Sequence, residues 1–246
     1  MAEDRTDGDP GLGYHLTMMK ESKASGLHLA VIPDGNRRWA MQHKLRPWQG
    51  HQKATENLRE ILEWCRKDPR ISVLTVWGFS TENWRRDPEM VNKLMQMFEE
   101  YLTEQREYLL SGHIRLLHSG RSDRFSPSLR KKLASLIEET KTFDAFTLNF
   151  ALDYGGQDEL LRAVQKIKSP EAVTDAIIRS HLDHPGLQDI DCIIRTAGEM
   201  RTSNFFLWQS TYAEWVFVKQ YFPDFTIDRL KEAIDEFFGR KRRFGA

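Results

Sequence analysis

Charged and polar side chains fill the loop that follows the first short apolar run of this sequence. The loop contains Asp34, Gly35, Asn36, Arg37 and Arg38. A glycine lets a ligand approach the backbone closely, a helix that starts here favours anions, and arginine offers forked donors to phosphate oxygens. An aspartate supplies the hard oxygen that Mg²⁺ prefers when substrate phosphates complete its ligands. The loop therefore indicates a phosphate and metal site, with an Asp-Gly turn and solvated arginines as the alternative.

A second loop combines hydroxyl, amide and arginine side chains with two large aromatic residues. It contains Phe79, Ser80, Asn83, Trp84 and Arg86. Such a mixture suits a ligand that has a charged head and an apolar tail. A capped loop whose aromatic residues belong to the core is the alternative.

A third loop follows the apolar segment that ends at Arg195 and contains Arg201 and Ser203. Because Arg195 comes directly after a buried strand, we expect it to be partly desolvated and to need an anion. Two arginines, a hydroxyl and a turn at Gly198 would make a diphosphate cradle. A structural salt bridge from Arg195 to a carboxylate is the alternative.

Two further charged features lie nearer the carboxyl terminus. Glu214 stands among aromatic residues at the start of the sixth apolar run, where a carboxylate is costly unless it is paired or bound to a metal. The segment 240–243 is basic and is followed by Phe244 and Gly245, and its alternative interpretation is a solvated tail.

Short apolar runs alternate with helical patterns along the chain. The predicted strands are His28–Pro33, Val73–Phe79, Ile114–His118, Phe146–Leu152, Asp191–Thr196 and Glu214–Val218. This alternation predicts an α/β fold, a single domain with a mainly parallel sheet flanked by helices. Ligands of open α/β sheets bind beyond the carboxyl ends of the strands, so the three polar loops are expected to meet there.

Composition excludes several classes of function. The 246 residues contain 36 Lys and Arg and 36 Asp and Glu, so no nucleic-acid partner is expected. No apolar run approaches the length of a membrane helix, and no nucleotide-binding or zinc-protease motif is present. Cys65 and Cys192 lie in apolar segments, typical of free thiols in a reducing, cytoplasmic location. We expect a flexible tail over residues 1–25 and one domain over residues 26–246.

Taken together, the loops closely resemble those of the cis-prenyltransferases, the undecaprenyl diphosphate synthase family. The matching segments are DGNRRWA, the Gly50-His51 pair, FSTENWRR, LDYGG, IRTAGEMRTSNFFLWQ, YAEW and RRFG. They occur in the family's order from Leu27 to Gly245, which makes the match highly specific. The resemblance implies a six-stranded sheet, an apolar tunnel for a growing chain, and a homodimer.

The resemblance also implies roles for individual residues. Asp34 would be the essential aspartate coupled to Mg²⁺, Asn83 would be the second catalytic residue, and Glu214 would assist the metal site. Gly35, Asn36, Arg37, Arg38, His51 and Arg86 would hold the allylic diphosphate, and Arg195, Arg201 and Ser203 the isopentenyl diphosphate. Phe79, Ser80 and Trp84 would shape the reacting centre, while Arg243 would reach the partner's site.

The implied activity is condensation of isopentenyl diphosphate with an allylic diphosphate to give a cis-polyprenyl diphosphate of medium-to-long chain. Because the product would be a lipid, the enzyme could also contact a membrane peripherally through it. The resemblance implies that a bulky residue at position 78 blocks elongation in short-chain members, so Gly78 favours a long product. Strand alternation places Trp77 on the opposite face, away from the tunnel. A strand-end carboxylate adds nothing obvious to a core, so loss of Asp34 is expected to cost catalysis and not stability.

Alternatives remain open at this point. A non-catalytic partner subunit would lack the aspartate and arginines that this chain retains, and an unrelated phosphate-binding module would bind diphosphate without turnover. Pro33 stands where the family usually has Met, which keeps open a member that makes irregular, branched or cyclic products. The family usually has an Arg four residues before the position of His51, where this chain has Pro47. The nearest arginine, Arg46, lies one residue earlier in the sequence.

Overall fold

Six apolar segments form one sheet, in the strand order β3-β4-β2-β1-β5-β6. The computed structural model describes residues 26–168 and 173–240. The strands are β1 (Leu27–Ile32), β2 (Ile71–Ser80), β3 (Ile114–Ser119), β4 (Phe146–Tyr154), β5 (Cys192–Arg195) and β6 (Glu214–Phe217). Every pair of neighbouring strands is parallel, which confirms the predicted α/β sheet. The predictions for residues 1–25 and for Arg243 concern positions outside the described residues.

Seven α-helices and two short 3₁₀ turns connect these strands in the described part of the chain. The helices are α1 (Asn36–Gln42), α2 (Pro47–Lys67), α3 (Pro88–Ser111), α4 (Pro127–Thr140), α5 (Gly156–Lys166), α6 (Asp175–Ser180) and α7 (Ile227–Gly239). The 3₁₀ turns span Thr81–Arg85 and Phe222–Asp224. The predicted cap of α3 is present, because the Asp87 carboxylate accepts from the Glu89 and Met90 amides at 3.0 and 3.2 Å. No helix in residues 26–168 or 173–240 is long and apolar enough to cross a membrane.

Alternating side chains on the strands build two apolar layers. The larger layer contains Leu29, Leu74 and Phe150 and packs against the long helices. The smaller layer contains Ala30 and Ile193 and is covered partly by the loop after β5. The two cysteines are free and buried, as the sequence indicated.

The chain on either side of Gly78 confirms the predicted division between these layers. Trp77 packs against Phe205 of the smaller layer, with ring centroids 5.0 Å apart. A Cβ at Gly78 would instead meet Phe98 of α3 and Leu152, at 3.1 and 2.6 Å. Phe150, which the sequence could not place, packs edge-on against Tyr101 of α3.

The loops at the carboxyl edge of the sheet are joined by direct hydrogen bonds. The Thr196 hydroxyl accepts from the Asp34 amide at 2.9 Å. Asn204 accepts from the Gly156 amide through its carbonyl at 2.7 Å and donates to Glu82 through its side chain at 3.1 Å. The loops after β1, β2, β4 and β5 are therefore held as one surface.

Candidate active site

Asp34 lies just beyond β1, where its carboxylate is held from two sides. One oxygen accepts from the Gly35 amide at 2.8 Å and the other from the Arg195 guanidinium at 2.9 Å. The Arg195 side chain is only 4% exposed, whereas that of Asp34 is 32% exposed. A buried cation therefore fixes a carboxylate that still faces the solvent. The salt bridge that was the alternative for Arg195 is therefore present, and its partner is the proposed catalytic aspartate; binding of a diphosphate by Arg195 stays a prediction.

The other donors of Arg195 organise the loop that follows it. Its Nη1 donates to the Ser203 hydroxyl at 2.8 Å and to the carbonyl of Arg201. Ala197, Gly198, Ser203 and Asn204 all have positive φ, so the loop is tightly coiled. The Arg201 side chain points outward and pairs with Glu199. The structure thus brings Arg195, Arg201 and Ser203 into one loop beside Asp34.

The loop after β1 requires a glycine at position 35. Its φ is +94°, and a Cβ there would lie 2.4 Å from the Tyr221 ring. The Arg38 guanidinium lies over that same ring, 5.3 Å from its centroid, and pairs with Glu199 at 2.7 Å. Tyr221 therefore positions both the turn and one of the arginines, a contact that no sequence pattern indicated.

Next to this loop lie Asn36 and His51, each of which carries one buried polar atom without a hydrogen-bond partner in the described structure. The Asn36 amide donates to the Pro33 carbonyl and approaches His51 Nδ1 at 3.4 Å. Burial, with repulsion from Arg86 and Arg37, lowers the pKa of His51 to about 4. Its Nε2 and the Asn36 Oδ1 are buried and have no hydrogen-bond partner in the described structure.

Two arginines complete this side of the site. Arg37 is exposed, Arg86 is half-buried, and neither forms an ion pair with any described residue. Burial and the nearby Arg37 lower the pKa of Arg86, while Asp34 opposes that shift. Neutral His51 and two unpaired cations make a surface that an anion would satisfy. Arg46 lies at the start of α2 and is exposed.

Acid is expected to destabilise this fold between about pH 6.5 and pH 4. Burial lowers the pKa of His28, like that of His51, to about 4. The unfolded chain then binds more protons than the folded one, so stability present at neutral pH is lost as the pH falls through this window. The loss should be on the order of 3 kcal/mol per histidine at most.

Urea unfolding at about pH 7 and about pH 5 measures this loss. The variant His51→Asn should be less sensitive to acid than the wild type. A matched change at the exposed His43, His43→Asn, should keep the wild-type dependence. Equal stability of the wild type at both pH values would contradict the account.

Apolar and aromatic groups line the side of the site that follows β2. Phe79 is buried and meets Trp84 edge-on at 5.2 Å. The Asn83 side chain accepts from the Ser80 amide at 3.2 Å and so closes the turn. Arg124 lies 5.2 Å from the Trp84 ring centroid and binds the fully buried Asp153 carboxylate.

Arg124 and Asp153 were missed from the sequence as site-shaping residues. Asp153 was part of the quoted segment LDYGG, but Arg124 carried no signal. Their ion pair joins the end of β4 to the loop after β3, and it holds the Arg124 guanidinium over the Trp84 ring.

Glu214 does not lie where the predicted metal role requires it within one chain. It begins β6 and pairs in register with Cys192, whereas Arg195 at the carboxyl edge pairs with Phe217. Three residues of strand separate these positions, roughly 10 Å. The Glu214 carboxylate binds Arg240 at 2.9 Å. The prediction overlooked that the start of a parallel strand is its amino edge.

With Glu214 set aside, Asp34 is the predicted metal ligand that is left. A single carboxylate suits a metal ion whose other ligands come mainly from the substrate. No group of three His, Cys, Asp or Glu side chains that could hold an ion is found in residues 26–168 and 173–240. Asp34 is a hard oxygen ligand with an exposed side, and Mg²⁺ usually combines one or two carboxylates with substrate phosphates.

Comparisons of sequence agree with this geometry. A family model described as "Putative undecaprenyl diphosphate synthase" matches residues 32–245. The isoprenyl transferase of Wolinella succinogenes is 41% identical over 219 residues, covering 89% of this chain and 96% of that protein. The tritrans,polycis-undecaprenyl-diphosphate synthase (geranylgeranyl-diphosphate specific) of Thermococcus kodakarensis is 40% identical and covers 94% of this chain and 92% of that protein.

Solved structures are similar over comparable lengths. Lavandulyl diphosphate synthase from Lavandula x intermedia, in complex with dimethylallyl diphosphate, matches with a TM-score of 0.84 at 29% identity and covers 89% of this chain and 98% of its own. A probable undecaprenyl diphosphate synthase from Campylobacter jejuni matches with a TM-score of 0.77 at 31% identity, covering 91% and 100%.

Fold and family match together define an enzyme class, the prenyl diphosphate synthases built on a parallel sheet. Within that class, this chain belongs to the undecaprenyl diphosphate synthase family, the cis-prenyltransferases.

Proposed function

We propose that this enzyme condenses isopentenyl diphosphate with an allylic diphosphate, with Mg²⁺ as cofactor, to make a cis-polyprenyl diphosphate. The observation that carries the proposal is the position of Asp34 between two sets of cations. Arg195, with Ser203 and the adjacent Arg201, lies on one side of its carboxylate, and the unpaired Arg37 and Arg86 lie on the other.

The side chains can divide the chemistry between them. Arg37, Arg86 and neutral His51 would bind the allylic diphosphate and stabilise its charge as the carbon–oxygen bond breaks. Arg195, Arg201 and Ser203 would hold isopentenyl diphosphate so that its double bond attacks the allylic carbon, and loss of a proton would then restore a double bond in the lengthened chain. Bound Mg²⁺, held by Asp34 and phosphate oxygens, would add Lewis-acid stabilisation of the leaving group. The apolar wall of Phe79 and Trp84 would keep water from the cationic carbon.

A member making irregular products is the second candidate, and its support is the similarity to lavandulyl diphosphate synthase. The ordered Arg195–Ser203 contact favours use of isopentenyl diphosphate. The presence of Asp34, Arg38 and Arg201 argues against a non-catalytic subunit.

Chromatography of products tests this proposal. Labelled isopentenyl diphosphate would be supplied in excess with dimethylallyl, farnesyl or geranylgeranyl diphosphate as the primer. We expect a ladder of linear products longer than the primer by whole isopentenyl units. Branched products, or binding without turnover, would contradict the proposal.

Product length should respond to Gly78, which faces α3 across the larger apolar layer. A side chain there must displace Phe98 or Leu152, because even a Cβ would meet them at 3.1 and 2.6 Å. The variant Gly78→Leu is therefore expected to shift the main product to shorter chains under isopentenyl excess. A product profile identical to wild type would contradict this placement of the tunnel.

A matched control is Gly186→Leu, since a Cβ at Gly186 meets nothing within 4 Å. That variant should keep the wild-type profile. The wild-type product is expected to be of medium-to-long chain; a wild-type product that stops at farnesyl would contradict the proposal on length.

A homodimer is proposed from exposed apolar residues on α5. Leu161 and Val164 on α5 are 62% and 51% exposed, and Leu207 packs beside the start of that helix. A second copy of the chain would cover them. Sedimentation of the double variant Leu161→Glu, Val164→Glu should give a monomer where the wild type gives a dimer. Cytoplasmic location and membrane contact through the product stay predictions.

A further inference from the structure

Glu199 joins an arginine from each proposed diphosphate pocket. One oxygen of its carboxylate contacts Arg38 Nη2 at 2.7 Å, and the other contacts Arg201 Nη1. The Glu199 side chain is 21% exposed, whereas those of Arg38 and Arg201 are 45% and 59% exposed, so both ion pairs are partly open to the solvent. No sequence pattern singled out this residue.

These contacts belong to a chain of alternating charges. Arg201 binds Glu199, Glu199 binds Arg38, and Arg38 comes within 4.0 Å of Asp34. Asp34 in turn binds Arg195, whose guanidinium returns to the Arg201 carbonyl. Glu199 therefore occupies one terminal nitrogen of Arg38 and one of Arg201, for which a bound diphosphate would compete.

The proposed reaction makes such an internal anion useful. Each condensation leaves inorganic pyrophosphate among the allylic-pocket arginines, while the elongated product carries its diphosphate in the isopentenyl pocket. Pyrophosphate must leave, and the product diphosphate must cross to the vacated pocket, before the next addition. A carboxylate between the two pockets can form its ion pair with each arginine again when the phosphate bound to that arginine leaves.

We propose that Glu199 is a positioning residue that competes with diphosphate for Arg38 and Arg201, and thereby promotes pyrophosphate release and transfer of the product diphosphate between pockets. This inference rests on the proposed function. Glu199 would act after one condensation and before the next, whereas Asp34 and the other arginines would act in the condensation itself.

The test is the affinity for inorganic pyrophosphate, measured by calorimetry in Mg²⁺ with the full chain. Two partly exposed ion pairs compete with the ligand, so Glu199→Gln should bind pyrophosphate about threefold to tenfold more tightly. Its first condensation, followed in a single turnover, should keep a near wild-type rate. Its steady-state rate over several additions should fall by a similar factor.

Two comparisons make the result specific. Glu199→Asp keeps the charge and should lie closer to wild type than Glu199→Gln in pyrophosphate affinity. Glu104→Gln removes a carboxylate from an exposed arginine pair with Arg59, away from the site, and should change neither quantity. Equal thermal midpoints would establish that each variant is folded.

Weaker pyrophosphate binding by Glu199→Gln would mean that the carboxylate only orients the arginines, and would overturn the inference. Unchanged binding would overturn it as well. Failure of the wild type to bind pyrophosphate at all would instead contradict the proposed function, so the two failures are distinguishable.

Discussion

Replacing Asp34 with asparagine is expected to lower kcat by about 10²–10³-fold while the protein stays folded. Asparagine keeps one accepting oxygen, which can still face Arg195, while its NH₂ group replaces the oxygen that accepts from the Gly35 amide; it also loses the negative charge that would hold the metal between the two pockets. Loss of one electrostatic element of this kind raises a barrier by about 2.7–4 kcal/mol. Steady-state incorporation of labelled isopentenyl diphosphate measures the rate, and thermal unfolding checks the fold.

Asparagine is preferable to alanine here because the structure corrects the expectation that loss of Asp34 costs no stability. Alanine would leave the buried Arg195 without any acceptor at this position, at a cost of about 1–3 kcal/mol, whereas asparagine can still offer Arg195 its amide oxygen. The matched control is Asp68→Asn, which removes the charge from another Asp–Arg pair far along the chain and should retain full activity. An Asp34→Asn enzyme with more than about a tenth of the wild-type kcat would refute the role of this carboxylate.

Replacing Arg201 with alanine is expected to raise KM for isopentenyl diphosphate by about 10-fold to 100-fold, with little change in KM for the allylic primer. A charge-assisted hydrogen bond contributes about 1.5–3 kcal/mol, which corresponds to this range. Arg201 is exposed and its guanidinium does not contact Asp34, so the effect should fall on binding of one substrate. Initial rates over a grid of both substrates separate the two KM values.

Arg195 should behave differently from Arg201, although the sequence treated them alike. Its guanidinium holds Asp34 as well as Ser203, so Arg195→Ala should lower kcat in addition to raising KM for isopentenyl diphosphate. The exposed Arg106→Ala serves as the control for loss of a surface cation. Equal effects of Arg201→Ala on both KM values would reject the division into two pockets.

The sequence pattern predicted the sheet because its strands are continuous apolar runs. Short runs of this kind are typical of parallel strands that are buried on both faces. The pattern placed the polar loops on one edge for the same reason, since parallel strands end together. The ends were less well predicted: β2 runs from Ile71 to Ser80 and β4 to Tyr154, because pairing between them continues beyond the apolar residues.

Contacts between distant segments could not be predicted from local patterns. The Asp34–Arg195 pair joins loops far apart in sequence, and either partner alone suggested several roles. Tyr221 beneath Arg38 and Arg124 behind Trp84 depend on how surface loops cross, which no spacing encodes. Glu214 differs, since its place at the start of a parallel strand already contradicted a role beside Asp34 in the same chain.

The central claim is that this chain adds isopentenyl units to an allylic primer through the edge that carries Asp34. The most direct measurement is transfer of label from isopentenyl diphosphate into organic-extractable product, with the primer or Mg²⁺ omitted in turn. The account predicts transfer that requires both and that nearly disappears in Asp34→Asn. Full transfer without a primer, in excess chelator, or by the Asp34→Asn variant would contradict it.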